Sequence, residues 1–369
     1  VNRNVSLTAS LLRAALCLAA ALLLGAVVIA VAQKSATAPL TAYAALFKGA
    51  FGSALNWSQT LDRTMPILLT GAGVAVALAA GLFNIGAEGQ LSVGALASTV
   101  VGYSLKGLPA PLLLLVSALA GMLAGAAWAF LPAYLKEKRG AHEVITAILL
   151  NYVAQKTTRY LASFPLKDPT SGGVQRTPEV LATFPRLSPQ YDVHVGLIIA
   201  VAVVVLIAVL LRRTVWGYET RAVGEGAGAA EAAGVPVSRV RIVAMLVSGA
   251  LCGLAGTLEI FGPTRYRFFP ADFYGAGFGF DGLAVALLAG GSPWGVFPSA
   301  LLFGALGAGA ENMDFEAGTP KQIVAVVQAL VILAVAARFV ARRRRPAAPS
   351  PVPEAAQSAA SGPTPEDGP

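Results

Sequence analysis

The sequence predicts an all-α, polytopic integral membrane protein with about ten transmembrane helices. Hydrophobic residues make up 56% of the 369-residue chain and charged residues only 12%, against about a quarter charged in an ordinary soluble domain. Mean hydropathy is +0.68. The apolar stretches recur along almost the whole chain at membrane-span spacing, rather than gathering where a single water-soluble core could bury them.

A helix rising about 1.5 Å per residue needs roughly 20 apolar residues to cross a bilayer, and fewer where it is enclosed by protein. The candidate spans are 11–32, 66–81, 91–105, 111–134, 144–161, 195–211, 242–261, 278–289, 296–309 and 323–340. The first begins beside Arg13 and ends in Ala30-Val31-Ala32, which has the form of a signal-peptide cleavage site. Its apolar run is longer than a signal core, so an uncleaved anchor is the expectation.

Lys and Arg in short loops set orientation. Ten spans starting inside put Arg3, Arg13, Lys136, Lys138, Arg139, the 212–241 loop and the arginines at 342–345 in the cytoplasm, with both termini. Lys156, Arg159, Lys167, Arg176 and Arg186 run against this pattern, near or within a long extracytoplasmic loop at 163–192. The transmembrane part is thus 1–345, and the Pro, Ala, Ser and Glu tail at 346–369 reads as a disordered cytoplasmic extension. Gly121-xxx-Gly125 and Gly249-xxx-Gly253 permit close helix approach in lipid.

The net charge of +8 would suit nucleic acid if it lay on one soluble face, but the basic residues sit between and beside apolar runs, so no nucleic-acid partner is expected; membrane lipid is. Cys17 and Cys252 both lie in apolar runs and act as small hydrophobes. His142 and His194 are isolated, and no H-E-x-x-H, cysteine cluster or G-x-S-x-G turn offers a metal site or a catalytic nucleophile. No Gly-Lys dipeptide occurs, so the chain has no Walker A loop.

Polar chemistry concentrates in Gly81-Leu-Phe-Asn-Ile-Gly-Ala-Glu-Gly-Gln90, where Asn84, Glu88 and Gln90 stand among glycines between two apolar runs. This is either a break lining a substrate path or a turn between two short helices. Asn151, Gln155, Glu259, Asp281 and Gln328 are polar at or within spans and either touch substrate or tie one helix to another. Phe278, Phe280 and Trp294 could stack on a planar ring or form an interfacial belt. From Glu219 to Ala233 the cytoplasmic segment is Ala-rich enough for a short helix, with Gly234-Val-Pro236 as its stop. Edged by Arg221 and Glu225, it is either a docking helix for another protein or a solvated connection.

The Gly81–Leu91 run, Arg221-Ala-Val-Gly-Glu225, Ala229-Ala-Glu-Ala-Ala-Gly-Val235 and Ser248-Gly-Ala-Leu-Cys-Gly-Leu-Ala-Gly256 resemble permeases of the ribose and branched-chain amino acid class of ABC importers. The Phe83-to-Gln90 form, Leu150-Asn-Tyr152 and Pro165-Leu-Lys-Asp-Pro169 resemble the nucleoside and simple-sugar subgroup. The resemblance implies alternating access driven by a separate cytoplasmic ATPase, so ATP belongs to that partner and this chain carries no cofactor. It also implies a second, homologous permease subunit, an extracytoplasmic substrate-binding lipoprotein and a bacterial inner-membrane location. The segment 224–234 becomes the coupling helix, with Arg221, Gly224, Glu225, Ala229, Ala230 and Gly234 facing the ATPase, although Gly226 and Gly228 stand where larger polar residues are expected. For Asn84, Glu88 and Gln90 it points to the substrate pathway; Asn151, Phe278 and Phe280 are placed there beside them on residue type alone. An ion-coupled secondary transporter of a small polar solute is the main rival, and a membrane-embedded enzyme the third reading.

Overall fold

The computed structural model describes residues 7–320 and 322–330. Its helices are α1 (Leu7–Gln33), α2 (Ala38–Phe51), α3 (Ala54–Ala79), α4 (Ala87–Ser104), α5 (Ala110–Arg139), α6 (Glu143–Ser163), α7 (Gly196–Arg213), α8 (Val215–Glu225), α9 (Ala227–Ala232), α10 (Val237–Ile260), α11 (Pro270–Ala276), α12 (Phe278–Leu288) and α13 (Pro293–Ala317). Residues 322–330 are helical as well. No strand occurs among the described residues, only an isolated bridge between Arg186 and His194.

Among the described residues five helices, α3, α5, α7, α10 and α13, are long and apolar enough to cross a membrane alone. The second half of α1 and α2 add a sixth only as one span bent by 118°. The count of ten is therefore not reached by length and apolarity. Part of the tenth expected span lies outside the described residues, as do the arginines at 342–345 and the 346–369 tail.

Two boundaries moved for a physical reason. α2 is absent from the expected spans because its 14 residues reach only about 21 Å. It is held by α13 instead: Asn312 donates to the Ala45 carbonyl at 2.8 Å, and Lys48 pairs with Glu316 at 2.7 Å. α3 begins twelve residues before the expected 66–81 because its polar first half finds protein partners. Thr60 donates to the Ala50 carbonyl at 2.8 Å, Ser58 accepts from the Asp192 and Val193 amides at 3.1 and 3.2 Å, and Arg63 pairs with Glu311. The helix also runs through Pro66, whose missing N–H removes one bond; Thr70 adds a hydroxyl bond to the Pro66 carbonyl at 2.9 Å.

α3 and α10 form the centre, with 78% and 72% of their apolar windows buried, whereas α5 and α7, at 28% and 33%, lie at the periphery. On α5 the exposed Leu115, Leu119 and Leu123 recur every four residues and make an apolar outer stripe, while Gly121 and Gly125 turn inward. In lipid such helices associate by packing rather than by apolar burial. A Cβ on Gly253 would strike the Gly121 carbonyl, and one on Gly249 the Gly125 carbonyl, so both small-residue motifs meet each other across the α5–α10 seam. Gly94 brings α4 onto the same seam against Gly253.

At one end of the bundle α8 and α9 join α7 to α10. The opposite end is closed by residues 164–195, which are tied down rather than loose. Val180 donates to the Tyr266 carbonyl at 3.0 Å, Leu181 to Gly102 at 3.0 Å and Phe184 to Phe261 at 2.8 Å. Basic residues there have acidic partners: Arg176 with Asp168 at 3.3 Å, Arg186 with Asp192 at 3.5 Å, and Arg267 with Glu179 and Asp168. Two bonds from Thr170, then the guanidinium groups of Arg176 and Arg267, hold the Asp168 carboxyl below the usual carboxylate range.

Candidate functional site

Gly81, at φ +74°, ends α3 in a left-handed turn in which the Leu82 amide donates to the Ala77 carbonyl at 2.9 Å. The chain then re-enters the bundle. Asn84 bonds Ser248, which lies about 11 residues into α10, so the start of α4 sits roughly 16 Å inside that helix's end.

Here polar groups satisfy one another. The Asn84 amide donates to Gln90 Oε1 at 2.9 Å and Ser248 Oγ at 2.8 Å, and its oxygen accepts from Gln90 Nε2 and the Gly86 amide, both at 3.0 Å. Asn151 on α6 completes the knot, accepting from the Gly89 amide at 2.9 Å and donating to the Ile85 carbonyl at 2.9 Å. Asn84 and Gln90 are fully enclosed. The sequence left a substrate-path break and a simple turn open; the residues form a re-entrant knot joining α4, α6 and α10.

Glu88 serves a second break. Gly277, at φ +66°, separates α11 from α12, leaving the first amides of α12 inside the bundle. Glu88 Oε2 accepts from the Gly279 amide at 2.7 Å, which sets a carboxyl oxygen at a helix N-terminus, where the dipole favours an acceptor. Gly279 can be nothing larger, because a Cβ would strike the Glu88 backbone. Glu88 Oε1 is buried with no hydrogen-bond partner among the described residues. Phe278 is buried beside this junction, its carbonyl accepting from Thr70 Oγ1 at 3.1 Å.

Phe280 and Asp281, on the first turn of α12, face different space: a cavity of about 660 Å³ between α3, α11, α12, α13 and residues 322–330. Arg63, Arg265, Glu311, Gln322 and Gln328 also line it. Arg63 is paired with Glu311, and Arg265 with Glu259 at 2.6 Å. The structure thus gathers Asn84, Glu88, Gln90, Asn151 and Phe278 into the packed junction and places Phe280, Asp281 and Gln328 at the cavity. Sequence reasoning missed Arg63, Arg265 and Glu311. The available signal was their position, within a few residues of expected span ends at 66, 261 and 309.

The expected single coupling helix is two. Gly226 is extended, at φ −173° and ψ 93°, and splits the segment into α8 and the six-residue α9, which ends before Gly234 at φ +83°. Ala230 is buried against Val223 and Val240, whereas Glu225, Ala229 and Gly234 are exposed and Arg221 is half-buried. Gly224 touches the α3–α4 turn so closely that a Cβ would strike the Ala79 carbonyl.

An apolar exterior, a small-residue seam, enclosed polar knots and a helix broken beside a polar cavity define a multi-pass membrane transport protein. The chain belongs to the branched-chain amino acid transport system / permease component family, whose sequence model matches residues 56–336. It is 38% identical to the guanosine ABC transporter permease protein NupP of Bacillus subtilis over 303 residues, 81% of this chain and 86% of that protein. It is 38% identical to the glucose ABC transporter permease protein TsgB13 of Haloferax volcanii, over 80% of each. It is 35% identical to the nucleoside ABC transporter permease protein NupB of Lactococcus lactis, over 82% of this chain and 85% of that one. No solved structure matches the chain. As a permease component it moves solute and makes or breaks no bonds.

Proposed function

We propose that this chain is one permease subunit of a nucleoside importer. The observation that carries the reading is the cavity wall. An exposed aromatic ring, Phe280, stands beside the polar groups of Asp281, Gln322 and Gln328 in a space within the usual range of small-molecule sites, a fit for a flat heterocycle bearing hydrogen-bonding groups. Relatives named for guanosine and nucleosides agree with it. The relative named for glucose supports a simple sugar as the second reading.

In this reading α8 and α9 lie in the cytoplasm, at the end carrying Lys136, Lys138, Arg139, Arg212 and Arg213, and 163–192 lies outside. Both termini are cytoplasmic and the membrane is the cell membrane. A separate ATPase spends ATP and grips Arg221, Gly224, Glu225, Ala229 and Gly234, with Ala230 anchoring α9 beneath them. A second permease completes the pathway, and an extracytoplasmic lipoprotein delivers substrate. Motion of α8 is passed by Gly224 to the Gly81 turn, through the Asn84 knot to α10, and through Glu88 to α12, whose first turn forms the cavity wall. Asn84, Glu88, Gln90, Asn151 and Phe278 therefore shape the pathway from behind, while Phe280 faces it.

The test is uptake by the complete importer across nucleosides, ribose, glucose and branched-chain amino acids. Nucleoside uptake abolished by a catalytic mutation in the ATPase is expected. Uptake that survives ATP depletion and collapses with an ion gradient would instead mean a secondary transporter.

A further inference from the structure

We propose that Asp281 reads the substrate's base and selects a neutral nucleoside whose base presents two adjacent N–H donors, as guanine does. This rests on the nucleoside reading above and adds the residue and the choice of base.

Asp281 lies one turn past the break at Gly277, on the wall of the 660 Å³ cavity and next to Phe280, which is 50% exposed. The other charges on that wall are matched, Arg63 by Glu311 and Arg265 by Glu259. Asp281 has no hydrogen-bond or ion-pair partner for its carboxylate among the described residues. A carboxylate held among membrane helices without a protein partner marks a site for a ligand.

Its chemistry narrows the ligand. A carboxylate only accepts, and its two oxygens suit two parallel N–H bonds. Guanine offers such a pair at N1 and its exocyclic amine. Adenine places a donor beside an acceptor and would set a lone pair against the second oxygen. Phe280 supplies a stacking face, which tolerates any base. The Gln322 and Gln328 amides can donate to and accept from ribose hydroxyls. With both arginines already engaged by carboxylates, the described wall leaves no unpaired cation to meet a phosphate, which disfavours a nucleoside phosphate.

The experiment uses the complete importer in proteoliposomes, with the receptor saturated by guanosine, adenosine, uridine or guanosine monophosphate in turn, so that the rate reports passage through the permease. The wild type should carry guanosine and leave the monophosphate behind. Asp281→Asn should lower guanosine uptake at least tenfold and leave adenosine within twofold or raise it, because an amide pairs with adenine's donor–acceptor edge. Phe280→Ala should lower all nucleosides alike. If Asp281→Asn depresses every nucleoside equally at normal protein level, or keeps the wild-type guanosine-to-adenosine ratio, the assignment is wrong while the nucleoside reading stands. Transport of the monophosphate would overturn the selection for neutral substrates. A wild type that carries no nucleoside removes both.

Discussion

Replacing Asn84 by Leu tests whether the buried knot is structural. The substitution keeps the number and branching of the side-chain heavy atoms and removes four hydrogen bonds, two with Gln90, one with Ser248 and one with the Gly86 amide. At about 0.6 kcal/mol per side-chain bond inside a bilayer, the loss is about 2.4 kcal/mol. The orphaned Gln90 amide and Gly86 N–H are enclosed and cannot turn to water, which raises the figure to about 3–5 kcal/mol. Thermal unfolding of the purified complex in mild detergent should show a midpoint lowered by several degrees. Transport per folded molecule should fall less than the amount of folded protein. An unchanged midpoint together with lost transport would refute the reasoning, since Asn84 would then act on substrate rather than on the fold.

Two further outcomes follow from the geometry. Gly224→Val drives a side chain against the Ala79 carbonyl, an overpacking of about 1–3 kcal/mol; uptake should fall at least tenfold with insertion retained, whereas Gly228→Ala, with nothing near its added Cβ, should leave insertion and uptake near normal. His194 is buried against Phe184, and burial pushes its pKa from 6.5 down to about 4, so it is neutral beside Asp62 at pH 7. Between those values the unfolded chain binds a proton that the folded one does not, so stability should fall as pH drops through this window, by about 3 kcal/mol in total, and level off below it. Unfolding midpoints measured from pH 7 to 4 should show that slope in wild type and lose it in His194→Gln; equal slopes in both would remove His194 as its source.

Much of the scaffold was legible because it obeys short-range rules. α5, α6, α7 and α10 coincide with apolar runs to within a few residues at most ends, and the paired glycines on α5 and α10 announce a close seam. The ends of α3 and α13 were not legible, because Asp62, Arg63, Glu311 and Asn312 look like loop residues until their partners are known. α2 escaped because it is too short to span, and the break at Gly226 because its alanine-rich surroundings favour helix. At the candidate site the sequence pointed to Glu88 and Asn84 as unusual. Their geometry buries both in the packed junction, while Phe280 and Asp281 line the cavity.

Composition alone determined that this chain lives in a membrane, since the free energy of moving apolar and polar groups between water and lipid depends on residue type and run length, both present in one dimension. Tertiary structure alone decided what each polar residue does. Asn84 meets Ser248 across 164 positions, Glu88 meets Gly279 across 191, and Arg63 meets Glu311 across 248. A polar group inside a bilayer is tolerated only with its partner in place, and which partner arrives is set by how distant helices pack.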